Sequence, residues 1–171
     1  EEARVPLILH SGVSGYNPIV GAAWGEDPNV SETEMPRFMY YTCFGKRPVM
    51  DTIACLIFHN LFGRFPGLRV LSIENGSKWV PGLLEDMDKS AMVTVSTQGS
   101  KQMNLIGGPI TDSPSNLFKE HFYVCPFFED PVPELVETIG AERVLFGSDW
   151  PHPEGVAEPL DFLAECEGPV S

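Results

Sequence analysis

The feature of this sequence that most constrains its fold is a regular alternation of strand-like and helix-like segments. Four short apolar runs predict strands, and each is followed by a segment whose apolar residues recur at helical spacing. The predicted strands are 5–9, 68–73, 121–127 and 143–148, and the predicted helices are about 48–62, 79–92, 131–139 and 159–166. Such alternation favours a parallel sheet with right-handed crossover connections.

Two architectures fit this order of elements. One is a small open α/β sheet, and the other is half of an eight-stranded barrel, because a complete barrel needs about 250 residues. The 171 residues are enough for a real core, so we predict a single domain over residues 1–171. Residues 13–47 are rich in glycine, proline, asparagine and aromatic residues, and we predict a long functional loop there.

The charge and composition argue against some classes of binding partner and favour one cellular compartment. The chain has 24 acidic and 11 basic residues and a net charge of -13, which argues against nucleic acid or an anionic membrane as partner. No run of 18 apolar residues occurs, so no membrane span is predicted. The four cysteines form no CxxC pair, which favours a reduced, cytoplasmic setting. Cys55 and Cys125 lie within apolar runs and are predicted to be buried.

Chemistry-bearing side chains stand where predicted strands end. His10 ends the first strand and Asp149 ends the last, and ligands bind at the carboxyl ends of parallel strands. An imidazole nitrogen and a carboxylate oxygen suit a zinc-like divalent ion, although catalytic zinc needs three protein ligands. The residues alone also allow Asp149 to bond backbone amides in a turn, and His10 to be a structural histidine.

Three segments carry a resemblance to a known family: Leu7–His10, Phe65–Val70 and Phe146–His152. They resemble the second half of an amidohydrolase, in the subgroup that includes aminocarboxymuconate semialdehyde decarboxylase and the resorcylate and related aromatic-acid decarboxylases. The resemblance runs in order through essentially the whole chain, and Gly147–His152 is its most specific part. It implies a metal-dependent (β/α)8 barrel, a TIM barrel, of which this chain supplies about strands 5–8.

The same resemblance implies roles for particular residues. His10 matches the metal-binding histidine of strand five, and Asp149 matches the strand-eight aspartate, which is a metal ligand and a proton-transfer group. The implied cofactor is one divalent metal ion, zinc by default and manganese as the alternative. The family's other two ligands form a His-x-His pair on strand one. This chain has no such pair, so we expect it upstream of Glu1 in a longer protein.

Glu74 departs from the family pattern, because family decarboxylases place a histidine near the end of strand six. A carboxylate can serve as a general base or bond a substrate hydroxyl, but it cannot act as a cationic acid. Hydrolysis therefore stays open beside decarboxylation, and Glu74 could also be a structural carboxylate bonded to loop amides. We predict that His152 and Trp79 contact substrate. The alternative role for His152 is to anchor its loop, and the alternative for Trp79 is to pack in the core.

Two functions follow from these observations. The first is a metal-dependent enzyme that decarboxylates or hydrolyses a small carboxylated or carbonyl compound, expected as a homodimer in the full-length protein. The second is a non-catalytic half-barrel that contributes only structure or a binding surface. The missing His-x-His pair discriminates between them, since a metal site of the family type needs it.

Overall fold

Three short strands form a parallel sheet in the order β1-β2-β3. In this computed structural model the described residues are 5–12, 15–29, 35–96, 106–150, 152, 155 and 157–160. The strands are β1, Leu7–His10; β2, Val70–Ile73; and β3, Phe122–Val124. The register pairs His10 with Ile73, so the carboxyl ends of β1 and β2 meet at one edge. The parallel sheet confirms the predicted α/β class.

Helices connect the strands and cover one face of the sheet. The described α-helices are α1, Arg37–Phe44; α2, Arg47–Phe58; α3, Leu61–Arg64; α4, Val80–Ser96; α5, Pro114–His121; and α6, Val132–Ile139. A π-helical turn spans Asn17–Gly21, and a 3-10 turn spans Ala141–Arg143. Among the described residues, no helix is both long and apolar enough to cross a bilayer.

The hydrophobic core lies between the sheet and helices α2, α4, α5 and α6. Val70, Phe122 and Val124 point into it and are fully buried. Successive side chains of a strand point to opposite faces, so Leu71 and Tyr123 lie on the face away from this core. Phe118 and Phe122 stack at the centre of the core, with ring centroids 4.7 Å apart.

The two outer strands are less regular than the sequence predicts. The first strand was expected to be buried, but Ile8 is 56% exposed, and β1 is an edge strand of the described sheet. The predicted strand 143–148 is reduced to a single parallel bridge between Val124 and Val144. The Leu145 amide also donates to the Val124 carbonyl, so this segment still runs along the edge of β3.

Two of the described α-helices were not predicted. The expected loop 13–47 contains α1, which buries Met39 against the glycine at position 21, where a Cβ atom would meet the Met39 sulfur at 2.2 Å. Helix α5 lies in a polar region that gave no helical pattern, and it ends at His121. His121 was predicted to begin a strand; instead it is buried, stacks on Phe62 and contacts the Leu68 carbonyl through Nδ1.

Three further expectations have mixed outcomes. Cys125 is buried as predicted, but Cys55 is exposed, because it lies on the side of α2 opposite the buried Ile53 and Ile57. The predicted helix 159–166 lies almost entirely outside the described residues. The assignment of residues 1–171 to one domain remains a prediction.

Helix α5 begins with a side-chain cap that offers a first test of the fold. Ser113 Oγ accepts a hydrogen bond from the Asn116 amide at 3.3 Å, and Pro114 occupies the first turn. We expect Ser113→Ala to lower the free energy of unfolding by about 1 kcal/mol in urea denaturation, because an amide of the first turn loses its acceptor. Ser113→Asn keeps a capping oxygen and should retain wild-type stability. Equal stability of the alanine variant and the wild type would contradict this role.

Candidate active site

Three ligand-type side chains converge at the carboxyl edge of the sheet. Glu74, Asp149 and His152 each offer one nitrogen or oxygen atom, and these atoms all lie within 4.8 Å of one another. Glu74 directly follows β2, and Asp149 follows the segment that runs along β3. Glu74 and Asp149 are half-buried, whereas His152 is exposed. We call these three residues the acidic triad.

Both carboxylates of the acidic triad occupy strained backbone positions. Glu74 and Asp149 each have φ of 55°, in the left-handed region that residues other than glycine rarely adopt. Such strain costs about 1–3 kcal/mol and persists only where the surroundings enforce it. The side chains are therefore aimed into the site by a conformation that local propensity opposes.

The turn that carries Glu74 is fixed by hydrogen bonds to neighbouring elements. Ser11 Oγ donates to Glu74 Oε2 at 2.9 Å. The Asn75 amide group donates to the carbonyls of Leu9 and Ile73, which joins the ends of β1 and β2. Glu74 therefore accepts a hydrogen bond from a side chain in the loop after β1. These contacts do not support the alternative role of Glu74 as a structural carboxylate bonded to loop amides.

The other two members of the acidic triad belong to one tight turn. The His152 amide donates to the Asp149 carbonyl at 2.8 Å, so the two residues lie at the ends of a four-residue turn. The Trp150 amide donates to Ser148 Oγ at 3.3 Å at the start of that turn. This closure explains how residues three positions apart present their side chains to the same point.

His10 lies beside the acidic triad but is not a member of it. Its Nδ1 contacts the Ser11 carbonyl at 2.7 Å, and its Nε2 lies 3.4 Å from Glu74 Oε1. A carbonyl only accepts hydrogen bonds, so Nδ1 carries the proton in that contact. In a neutral ring Nε2 then turns a lone pair toward a carboxylate oxygen. A cation bound between these two acceptors would satisfy both of them.

The donor set therefore fits a divalent metal ion. Two carboxylates and two imidazoles are the ligand types that zinc and manganese accept. The facing acceptors of His10 and Glu74, together with the convergence of the acidic triad, are what such an ion would satisfy. The sequence predicted His10 and Asp149 as ligands, and the structure places Glu74 and His152 among the same atoms.

A cavity of about 550 Å³ opens above these residues. Its wall carries the four ligand-type residues and an aromatic group made of Phe127, Phe128 and Trp150. Trp150 is 86% exposed. No lysine or arginine occurs among the described residues that line this cavity. The described wall thus combines acidic and aromatic groups.

Cys125 lines the same cavity, which sequence reasoning did not predict. Burial raises the pKa of its thiol, and the nearby carboxylates of Asp149 and Glu74 raise it further. The thiol therefore stays neutral at physiological pH. Its sulfur lies 2.8 Å from the position that a Cβ atom on Gly147 would occupy, so a side chain at Gly147 would displace the sulfur.

Trp79 was predicted to contact substrate, but it lies in the hydrophobic core and does not line this cavity. Its position gives that role no support. Instead its indole Nε1 donates to the carbonyls of Asn75 and Gly76, at 2.9 and 3.0 Å. Trp79 thus anchors the turn that carries Glu74. The signal was present in the sequence, since Trp79 lies at helical spacing from the buried Leu83.

Comparison with known proteins decides the family. The amidohydrolase family model matches residues 1–168. This chain belongs to the amidohydrolase family. A crystal structure of an amidohydrolase from Mycobacterium avium subsp. paratuberculosis K-10 is 35% identical, with a TM-score of 0.76, and the match covers 98% of this chain and 38% of that one.

Two more distant structures share the fold of this amidohydrolase chain. A 5-carboxyvanillate decarboxylase from Sphingomonas paucimobilis matches with 17% identity and a TM-score of 0.66, over 98% of this chain and 45% of its own. A dihydroxybenzoic acid decarboxylase from Polaromonas sp. JS666, solved with bound manganese and the inhibitor 2-nitroresorcinol, matches with 20% identity and a TM-score of 0.57. That match covers 95% of this chain and 44% of the decarboxylase. No curated protein gave a significant match.

These matches confirm the predicted family and the predicted part of a TIM barrel. The chain spans less than half the length of the solved proteins it matches. The activity, substrate and partners of the whole protein are therefore matters for proposal.

Proposed function

We propose that this chain supplies part of the metal site of an amidohydrolase that hydrolyses or decarboxylates a small carbonyl or carboxylated compound. The observation that carries the proposal is the convergence of the acidic triad within 4.8 Å, beside a histidine whose Nε2 faces Glu74. The family membership supports a metal-dependent reaction, and the manganese-bound relative supports a divalent ion. Zinc and manganese both suit the proposed ligands.

His10, Asp149 and Glu74 would hold the ion, and His152 would complete the set or contact substrate from the exposed rim. When bound, the ion lowers the pKa of a coordinated water and polarises a substrate oxygen. Side chains of the protein carry out the remaining steps. In hydrolysis Asp149 accepts the proton of the attacking water. In decarboxylation Asp149 would first accept a proton from water and then deliver it to the substrate carbon, which keeps the electron pair of the broken C–C bond when carbon dioxide leaves.

Glu74 acts as the second acid–base group in this proposal. Its Oε2 accepts a hydrogen bond from Ser11 Oγ, and its Oε1 lies 3.4 Å from His10 Nε2. A carboxylate so placed accepts a proton or a hydrogen bond from a substrate hydroxyl. The aromatic group of Phe127, Phe128 and Trp150 covers one wall with apolar surface, which limits water around the reacting atoms.

The proposal is tested by measuring the metal content of the full-length protein that contains this chain. We expect about one zinc or manganese ion per chain by inductively coupled plasma mass spectrometry, since the described residues contain one such ligand set. His10→Ala and His152→Ala should reduce the bound metal. Glu129→Gln is the matched control, because Glu129 lines the same cavity outside the ligand set.

Full metal content in the Glu129 variant and loss in the histidine variants would support the site. A wild-type protein that binds no zinc or manganese after reconstitution would overturn the proposal. That result would favour the non-catalytic half-barrel instead. Where metal binds, carbon dioxide release from carboxylated compounds, assayed beside hydrolysis of small amides and esters, separates the two reactions.

A further inference from the structure

A buried carboxylate outside the metal-ligand set joins two walls of the cavity. Asp130 Oδ2 accepts hydrogen bonds from the Ser77 amide at 2.6 Å, from Ser77 Oγ at 3.1 Å and from the Phe127 amide at 3.1 Å. Its Oδ1 lies 3.6 Å from Lys78 Nζ. The Asp130 side chain is only 3% exposed, whereas the Lys78 side chain is half exposed. One carboxylate thus binds the turn after β2 and the loop after β3.

The turn after β2 carries Glu74 and sets the direction of its side chain. Glu74 and Gly76 both have positive φ, at 55° and 60°. A Cβ atom on Gly76 would lie 2.8 Å from the Phe127 ring and 2.9 Å from Asp130 Oδ2, so the turn packs directly on the loop that Asp130 organises. Trp79 Nε1 holds the same turn from the core side. The strained conformation at Glu74 is therefore enforced from both directions.

We infer that Asp130 is a positioning residue that fixes Glu74 against the ligand set and holds Phe127 against the same cavity. The inference rests on the proposed function, because it assigns Asp130 a role through Glu74. Hydrogen bonds to an ionised acceptor are about twice as strong as neutral ones. Three donors on one carboxylate oxygen therefore hold the turn after β2 firmly against the loop after β3. Removing this carboxylate frees the Glu74 turn to relax out of its strained backbone conformation.

The experiment compares Asp130→Ala with a matched control, Asp88→Ala. Asp88 is also a carboxylate that accepts a backbone amide, that of Ser115 at 2.9 Å, but it joins α4 to α5 and does not line the cavity. Affinity for zinc is measured by competition with a chelating dye, which needs no turnover. We expect Asp130→Ala to weaken zinc binding about 10- to 100-fold, the usual effect of losing a group that orients a ligand.

Asp88→Ala should lower stability in urea denaturation and leave zinc affinity unchanged. Equal loss of zinc affinity in both variants, or none in Asp130→Ala, would overturn the inference while the proposed function stands. Asp130→Asn keeps an oxygen for the three donors but loses the charge that strengthens their hydrogen bonds, so we expect an intermediate loss of zinc affinity, about 3- to 10-fold. If Asp130→Ala does not fold, an Asp130→Asn variant with unchanged zinc affinity overturns the inference by itself.

Amide hydrogen exchange gives a readout that does not depend on metal. Peptides that cover residues 74–77 should exchange faster in the Asp130 variants than in wild type, with no change in the Asp88 variant. A wild-type protein with affinity for neither zinc nor manganese overturns the proposed function, and exchange then decides the positioning role alone. Unchanged exchange at residues 74–77 in Asp130→Asn and Asp130→Ala would reject that role.

Discussion

Asp149→Asn is expected to reduce kcat/KM by on the order of 10²–10⁴-fold, the range that a proton-transfer group contributes. Asparagine nearly matches aspartate in size and can retain the strained turn, since it tolerates positive φ better than most residues. It cannot accept a proton at neutral pH, and it is a weaker metal ligand. The loss should appear in kcat more than in KM, because in the proposed reaction Asp149 acts on the reacting atoms.

The measurement is steady-state kinetics with metal content determined on the same samples. Glu129→Gln is again the matched control, because it makes the same chemical change on the same cavity wall outside the ligand set. Its kcat should stay close to that of wild type. An Asp149→Asn enzyme with wild-type kcat at full metal occupancy would exclude Asp149 as the proton-transfer group and leave it at most a ligand.

Phe118→Ala should produce the largest loss of stability, about 3–5 kcal/mol. Phe118 is fully buried, stacks on Phe122 at 4.7 Å and meets the Trp79 ring edge-on at 6.4 Å. The variant loses the transfer free energy of the ring and leaves a cavity between α5 and the sheet. Because folded domains are stable by only about 5–15 kcal/mol, a large share of the total would be lost.

Urea denaturation followed by circular dichroism measures this effect. Met92→Ala provides the comparison, since Met92 lies 72% exposed on α4 and should change stability by no more than about 0.5 kcal/mol. A loss below about 1 kcal/mol for Phe118→Ala would mean that the core between α5 and the sheet is less tightly packed than the ring distances indicate.

The sequence was sufficient for the class of fold and the edge at which the site lies. Periodic apolar residues identified the strands at 68–73 and 121–127, and alternation with helices predicted the parallel sheet. Because parallel strands end at one edge, His10 and Asp149 were predicted to lie at the same edge from their places after strands alone. The register that pairs His10 with Ile73 then accounts for the position of Glu74 in the same site.

Several features depended on long-range contacts that no local pattern reveals. Helix α1 forms where the sequence indicated a loop, because it buries Met39 against Gly21. The left-handed backbone at Glu74 and Asp149 opposes local preference and exists because neighbouring elements enforce it. Asp130 reaches Ser77 across 53 positions of sequence, so its role had no sequence signal.

The sequence by itself thus determined which residue types stand at the carboxyl ends of the strands, since apolar periodicity and chain order are local properties. The tertiary structure decided which of those side chains meet. It brought Glu74 and His152, which were predicted for catalysis and substrate contact, together with the predicted ligand Asp149, and it left His10 beside Glu74. It also placed Trp79 in the core. The physical reason is that convergence within a few ångströms depends on turn closure and strained backbone angles, which packing between distant segments imposes.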